Sequence, residues 1–121
     1  MQDFRQFQVG PDPYGRTWRV NFVWQQNGIS IRHADTVDVK FVVDDGDQQE
    51  EKIIALPHPT LLDVTNRLGR PLNDAWCSKI AASHLKNMIL TAEDIEKPLV
   101  TLSAADIEQA NQQLDKERSA A

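Results

Sequence analysis

The strongest constraint on the fold is an alternation of apolar and polar side chains over residues 17–25, followed closely by Asn27-Gly28. Successive side chains of a β-strand point to opposite faces, so a period of two predicts a strand with one face in the core. Asn-Gly accepts the positive φ angles that both central residues of a tight type I′ turn require. The pattern therefore predicts a β-hairpin. The side chains assigned to the buried face of its first strand are Trp18, Val20, Phe22 and Trp24.

A two-residue loop at Asn27-Gly28 would fix which residues face each other across the hairpin. In that register Trp24 faces Ile31 and Trp18 faces Val37. The alternation is interrupted at residues 33–35, where we expect a bulge or a bend, and it resumes over residues 37–43.

The remaining elements are predicted from short apolar runs, capping residues and turn residues. Pro59 suits a first helical turn, and Gly69 suits the end of that helix. Asn73 is a good N-cap, and Ser103 with Asp106 resembles a capping box. Further strands are predicted at residues 4–9 and 52–56, and helices at residues 59–68, 74–90 and 104–117. Strands followed by helices indicate an α+β fold, with an antiparallel sheet of about four strands in the N-terminal half and about three helices packed on one face.

The length of 121 residues fits a single domain, and a hydrophobic content of 40% is enough for an ordinary core. We assign residues 1–102 to this α+β domain. Residues 103–121 form a C-terminal helix that we expect to be loosely attached, because its apolar stripe of Ile107, Ala110 and Leu114 is narrow.

Charge and composition argue against several classes of partner. Thirteen basic and eighteen acidic side chains give a formal net charge of −5, whereas binding to phosphate backbones or anionic lipid needs a basic surface. The single cysteine allows no intrachain disulfide. The first six residues lack the pattern of a signal peptide, and no apolar run approaches the roughly 18 residues of a membrane span. We therefore expect a soluble cytoplasmic protein.

Three residues are candidates for lining a ligand pocket: His58, Cys77 and His84. His58 lies between two prolines at a strand-to-helix junction. Cys77 and His84 share one helix face, but seven residues along a helix span about 10 Å, too far for a nucleophile and its base. The same spacing is too long for two ligands of one metal. A buried cysteine and a core histidine satisfied by one hydrogen bond are the favoured explanation of the pattern, so we assign no catalytic residue, no metal site and no cofactor.

Two other motifs invite a functional interpretation. The acidic segment at residues 44–51 lacks the ligand spacing of a calcium-binding EF-hand, which favours a solvated hairpin loop. Residues 61–90 could form a helix-turn-helix, but the second helix opens with an acidic residue where phosphate contacts would be made. DNA binding is therefore the weaker alternative.

The absence of a catalytic constellation and of a basic surface favours a non-enzymatic protein-interaction or accessory module. The alternative is a small-molecule-binding protein or a small enzyme with a pocket near His58, Cys77 and His84. In the first case we expect contact with another protein, or with a second copy in a homodimer, through the sheet face that the helices leave open. The residues assigned to this face are Arg19, Val23, Arg32, Lys40 and Val42.

Overall fold

A five-stranded sheet and three helices make up residues 4–28 and 35–120, the part of the chain that the computed structural model describes. The strands are β1 (Gln6–Val9), β2 (Trp18–Gly28), β3 (Thr36–Asp44), β4 (Gln49–Pro57) and β5 (Leu99–Thr101). The helices are α1 (His58–Leu68), α2 (Asp74–Thr91) and α3 (Ala104–Ala120). The prediction of an α+β fold, with strands in the first half of the chain and helices in the second, is confirmed.

The strands lie in the order of the chain, from β1 at one edge to β5 at the other. Neighbouring strands from β1 to β4 are antiparallel, whereas β5 runs parallel to β4 after a crossover through α1 and α2. The fifth strand was not predicted, because three residues are too few to show a period of two.

The register of the β2–β3 hairpin differs from the prediction. Asn27 and Gly28 do not form a two-residue turn but end β2, where they pair with Val37 and Thr36, and the connection spans residues 29–35. Trp24 pairs with Lys40 instead of Ile31. Ile31 itself lies outside the described residues, as does Arg32. Trp18 also does not face Val37, and its neighbour Arg19 pairs with Asp44. Extending the ladder along both strands gains hydrogen bonds and apolar contacts, while a longer loop adds closure entropy only slowly.

A β-bulge at Val23 changes which face of β2 is buried. Phe22 pairs with Phe41 and Trp24 pairs with Lys40, which leaves Val23 as the extra residue. Phe22 packs edge-on against Phe41 in the core, with ring centroids 6.0 Å apart. Beyond the bulge it is Gln25 that faces α2, where it accepts a hydrogen bond from the Ser78 hydroxyl. The prediction that Trp24 shares the buried face of Trp18 and Phe22 is therefore wrong.

The core lies between one face of the sheet and the helices. Alternate residues of β3 are fully or almost fully buried, and they meet apolar side chains of β4 and of all three helices. Helix α2 contacts four strands of the sheet and also packs against α3. The largest fully buried side chains of this cluster are Phe41, Ile54, Leu56, Leu61, Ile80, Leu85, Ile89, Leu102 and Ile107.

Two buried polar groups stabilise segments near the two edges of the sheet. The carboxylate of Asp12 accepts hydrogen bonds from the indole N–H of Trp18 at 2.9 Å and from the backbone and side chain of Arg16. At the opposite edge, the ammonium of Lys52 donates to the carbonyl oxygens of Ile95 and Lys97 and so anchors the segment that leads into β5.

Helix α3 buries the predicted stripe of Ile107 and Ala110, and Leu114 packs partly against the core. One polar residue is buried with them: the side-chain oxygen of Asn111 accepts a hydrogen bond of 3.0 Å from the indole N–H of Trp76 on α2. The loose attachment of residues 103–121 to the rest of the domain stays a prediction. The stability of an Ile107→Ala variant would test it.

Candidate functional site

The three candidate pocket residues occupy different environments. His58 is exposed as the first residue of α1, where its backbone N–H donates to the carbonyl oxygen of Asp35 at 2.8 Å. Cys77 is only 2% exposed in the first half of α2. Burial raises the pKa of the Cys77 thiol to about 11, so the thiol is protonated at neutral pH and is not an activated nucleophile.

His84 lines a cleft of about 140 Å³ between α2 and α3. Burial lowers the pKa of His84, and the opposing charge of Asp106 across the cleft does not reverse that direction, so the site favours the neutral imidazole. The lining contains neither His58 nor Cys77, so this cleft does not unite the three residues. Within the described residues, no group of three histidine, cysteine or acidic side chains is placed to hold a metal ion.

Two carboxylates of the acidic loop accept hydrogen bonds from backbone N–H groups of the same loop. Asp45 accepts hydrogen bonds of 2.9 Å from the N–H groups of Asp47 and Gln48, and Asp44 accepts one of 2.7 Å from Gly46. One carboxylate oxygen of each of Asp44 and Asp45 is thus used in closing the loop.

The second face of the sheet carries a row of cross-strand neighbours that we call the central row: Trp24, Lys40, Ile53 and Leu99. Each belongs to a different strand, so the row crosses the sheet from β2 to β5 and spans about 14 Å. Three of its four side chains are apolar. Leu99 is 52% exposed, and Val23, which the bulge adds beside Trp24, is 44% exposed.

Lys40 contributes to this surface without leaving a free charge at its centre. Its ammonium lies 5.7 Å from the centroid of the Trp24 ring and 2.8 Å from the carboxylate of Glu51. The cation–π contact and the ion pair hold the side chain down on the sheet, so its aliphatic stem extends the apolar surface.

The rows on either side of the central row are mixed or polar. Toward the acidic loop, the neighbouring row consists of Asn21, Val42 and Glu51. Away from that loop, it consists of Gln26, Asp38, Ala55 and Thr101. A largely apolar strip between a mixed and a more polar row thus crosses the open face.

Of the residues predicted for this face, Arg19, Val23, Lys40 and Val42 lie on it, whereas Arg32 is outside the described residues. Trp24, Ile53 and Leu99 were missed. The continuous apolar run over residues 53–56 is a usable signal for Ile53, because it makes both faces of β4 apolar. No local sequence pattern predicts the bulge that places Trp24 on this face or the strand pairing that adds Leu99 to it.

None of the helices in the part of the chain that the structure describes is long and apolar enough to cross a bilayer. Comparison with protein-family models, with curated proteins and with solved structures found no match to this chain.

Proposed function

We propose that this chain is a non-enzymatic protein-interaction module that binds a protein chain through the open face of its sheet. The observation that carries the proposal is the central row, in which exposed Leu99 and partly buried Trp24 and Ile53 present apolar surface away from the helices. A sheet face that meets only water normally carries polar side chains. Exposed clusters of large apolar residues, aromatic ones in particular, are typical of protein interfaces.

The charges around the central row favour a protein partner over a nucleic acid. Acidic Asp38, Asp44 and Glu51 accompany basic Arg19 and Lys40, so the face offers no basic field for phosphate groups. The helix-turn-helix alternative also needs α2 to expose one side for insertion into a groove. That helix is largely buried between the sheet and α3, with Trp76, Ile80 and Leu85 among its buried residues.

The experiment compares two double variants in affinity capture from cells of the source organism. Val23→Asp with Leu99→Asp places charges on the open face at side chains that are already about half exposed. Leu62→Asp with Leu68→Asp makes the same chemical change on α1, where these residues are 43% and 41% exposed. We expect the first variant to lose the proteins that the wild type retains, and the second to keep them.

Both variants should melt within a few degrees of the wild type, because substitutions at exposed positions change stability little. Equal retention by both double variants would remove the open face from consideration. The cleft at His84 would then be the site to test with small molecules.

A further inference from the structure

We infer that the open face is occupied by a second copy of this chain, so that two sheets pack face to face in a symmetric dimer. This inference rests on the proposed function, because it names the protein that covers the central row. Three properties of the face carry it: its area, the positions of its charges under two-fold symmetry, and the place of the apolar side chains within it.

The area of the face suits a weak dimer. When β3 and β4 of one copy cover β4 and β3 of the other, nine residues of each strand overlap, and β2 and β5 overlap over the three residues of β5. With strands about 4.8 Å apart and residues about 3.3 Å apart, the facing area is roughly 400 Å² per copy and roughly 800 Å² in the dimer, the size of a weak, transient interface. Since interfaces of about 1,600 Å² begin at micromolar dissociation constants, we expect a constant between about 1 and 100 µM.

The apolar side chains of the two copies face each other when the two-fold axis lies between the two sheets. The axis runs parallel to the strands and passes over the gap between β3 and β4. Rotation about that axis brings β2 of one copy opposite β5 of the other, and β3 opposite β4. Trp24 then faces Leu99 of the second copy, and Lys40 faces Ile53, so each central row covers the other. Each of these contacts occurs twice. Sheets packed in this way cross at about 30°, so the correspondence is closest at the central row.

In the same arrangement, side chains of β3 and β4 with the same charge do not face each other. Cross-strand neighbours in one copy become facing residues in the dimer, so Val42 lies opposite Glu51, Asp38 opposite Ala55 and Asp44 opposite Gln49. No charged side chain of β3 meets a charge of the same sign on β4. An axis along β3 would instead place Lys40 opposite Lys40, which is unfavourable.

The net charge gives the dimer a characteristic salt dependence. Two chains with a formal charge of −5 each repel one another, while the contacts at the centre of the face are apolar. Added salt screens the repulsion and leaves the apolar contacts in place. We therefore expect self-association to strengthen between low and moderate salt, the reverse of an interface that depends on opposite charges.

The first measurement is sedimentation equilibrium of the full chain from about 1 µM to about 300 µM, a range that brackets a micromolar dimer. The wild type should pass from the mass of one chain to that of two. Val23→Asp with Leu99→Asp should raise the dissociation constant at least tenfold, and Leu62→Asp with Leu68→Asp should leave it unchanged within about twofold. A wild type that stays monomeric at the highest concentration would overturn the inference.

The second measurement reports where the copies meet. The chain has three tryptophans, and when they are replaced by 5-fluorotryptophan each gives its own ¹⁹F resonance. Trp18 on β2 and Trp76 on α2 are buried on the helix side of the sheet, whereas Trp24 lies on the open face. Only the Trp24 resonance, assigned from its loss in Trp24→Phe, should shift as the concentration rises. A dimer in which this resonance does not move would use another surface and would refute the face-to-face arrangement.

The two proposals can fail separately. A monomer that still captures a protein through Val23 and Leu99 refutes the dimer and leaves the interaction module standing. A dimer that survives the Val23 and Leu99 substitutions but not those at Leu62 and Leu68 refutes the face-to-face arrangement, and equal capture of proteins by both double variants refutes the interaction module.

Discussion

Replacing Ile107 by alanine measures whether α3 is part of the cooperative core. Ile107 is completely buried among the apolar side chains of the domain, although it belongs to the segment that the sequence predicts to be loosely attached. The substitution removes three carbon atoms, which at about 0.8 kcal/mol each gives roughly 2.4 kcal/mol of lost transfer free energy. The cavity that remains adds to this, so we expect unfolding to become easier by about 3–4 kcal/mol.

That loss is large compared with the about 5–15 kcal/mol by which small domains are stable. For a chain of this length it should lower the melting temperature by roughly 10–15 °C. Urea unfolding followed by far-ultraviolet circular dichroism and by tryptophan fluorescence gives the free energy and shows whether both signals change together. The matched control is Gln112→Ala on the exposed side of the same helix, which should change stability by less than about 0.5 kcal/mol.

A cost below about 1 kcal/mol for Ile107→Ala would refute this reasoning. It would mean that α3 separates from the domain before the core unfolds, as a narrow apolar stripe alone predicts. A chain ending at Leu102 should then keep a cooperative melting transition.

Three further predictions concern buried polar groups. Lys52→Met should cost about 2 kcal/mol through the lost hydrogen bonds to the segment before β5, and hydrogen exchange of the β5 amides should speed up; exposed Lys79→Met is the control. Cys77 should react with a thiol reagent far more slowly in the folded than in the denatured protein, since burial raises the pKa of its thiol to about 11, and equal rates would contradict the burial. Burial opposes ionisation of Asp12, but the hydrogen bonds from Trp18 and the neighbouring loop lower the pKa of that carboxyl to about 2. The stability contributed by Asp12 should therefore be complete above about pH 4 and should be lost as the pH falls through about 2. Acid titration of Asp12→Asn should lack that part of the transition.

Much of the local structure could be predicted because the signals that specify it are local. The side chain of Asn73 caps α2 by accepting the N–H of Trp76 at 2.8 Å. Ser103 and Asp106 exchange hydrogen bonds of 3.2 and 3.0 Å at the start of α3, as a capping box requires. Gly69 ends α1 with φ of 66°, a conformation that glycine adopts without strain. These interactions span three or four residues, so the chain specifies them wherever it lies in the fold.

The candidate site shows the limit of such signals. Alternation correctly assigns Arg19 and Lys40 to the open face, because each lies in an uninterrupted stretch of strand beside buried partners. It assigns Trp24 to the wrong face, because a single extra residue at Val23 reverses the alternation beyond it.

The sequence by itself determined the fold class, the helix ends to within about three residues, and the faces of β3 and of β2 as far as the bulge. Only the tertiary structure decided the β2–β3 register, the bulge and the parallel pairing of β5, and these three choices together assemble the central row. The physical reason is that a period of two depends on neighbours along the chain, whereas register and strand partners depend on contacts between residues far apart in it. Asn27-Gly28 favours a tight turn locally, but the ladder from Arg19–Asp44 to Gly28–Thr36 has the larger total of hydrogen bonds and buried surface.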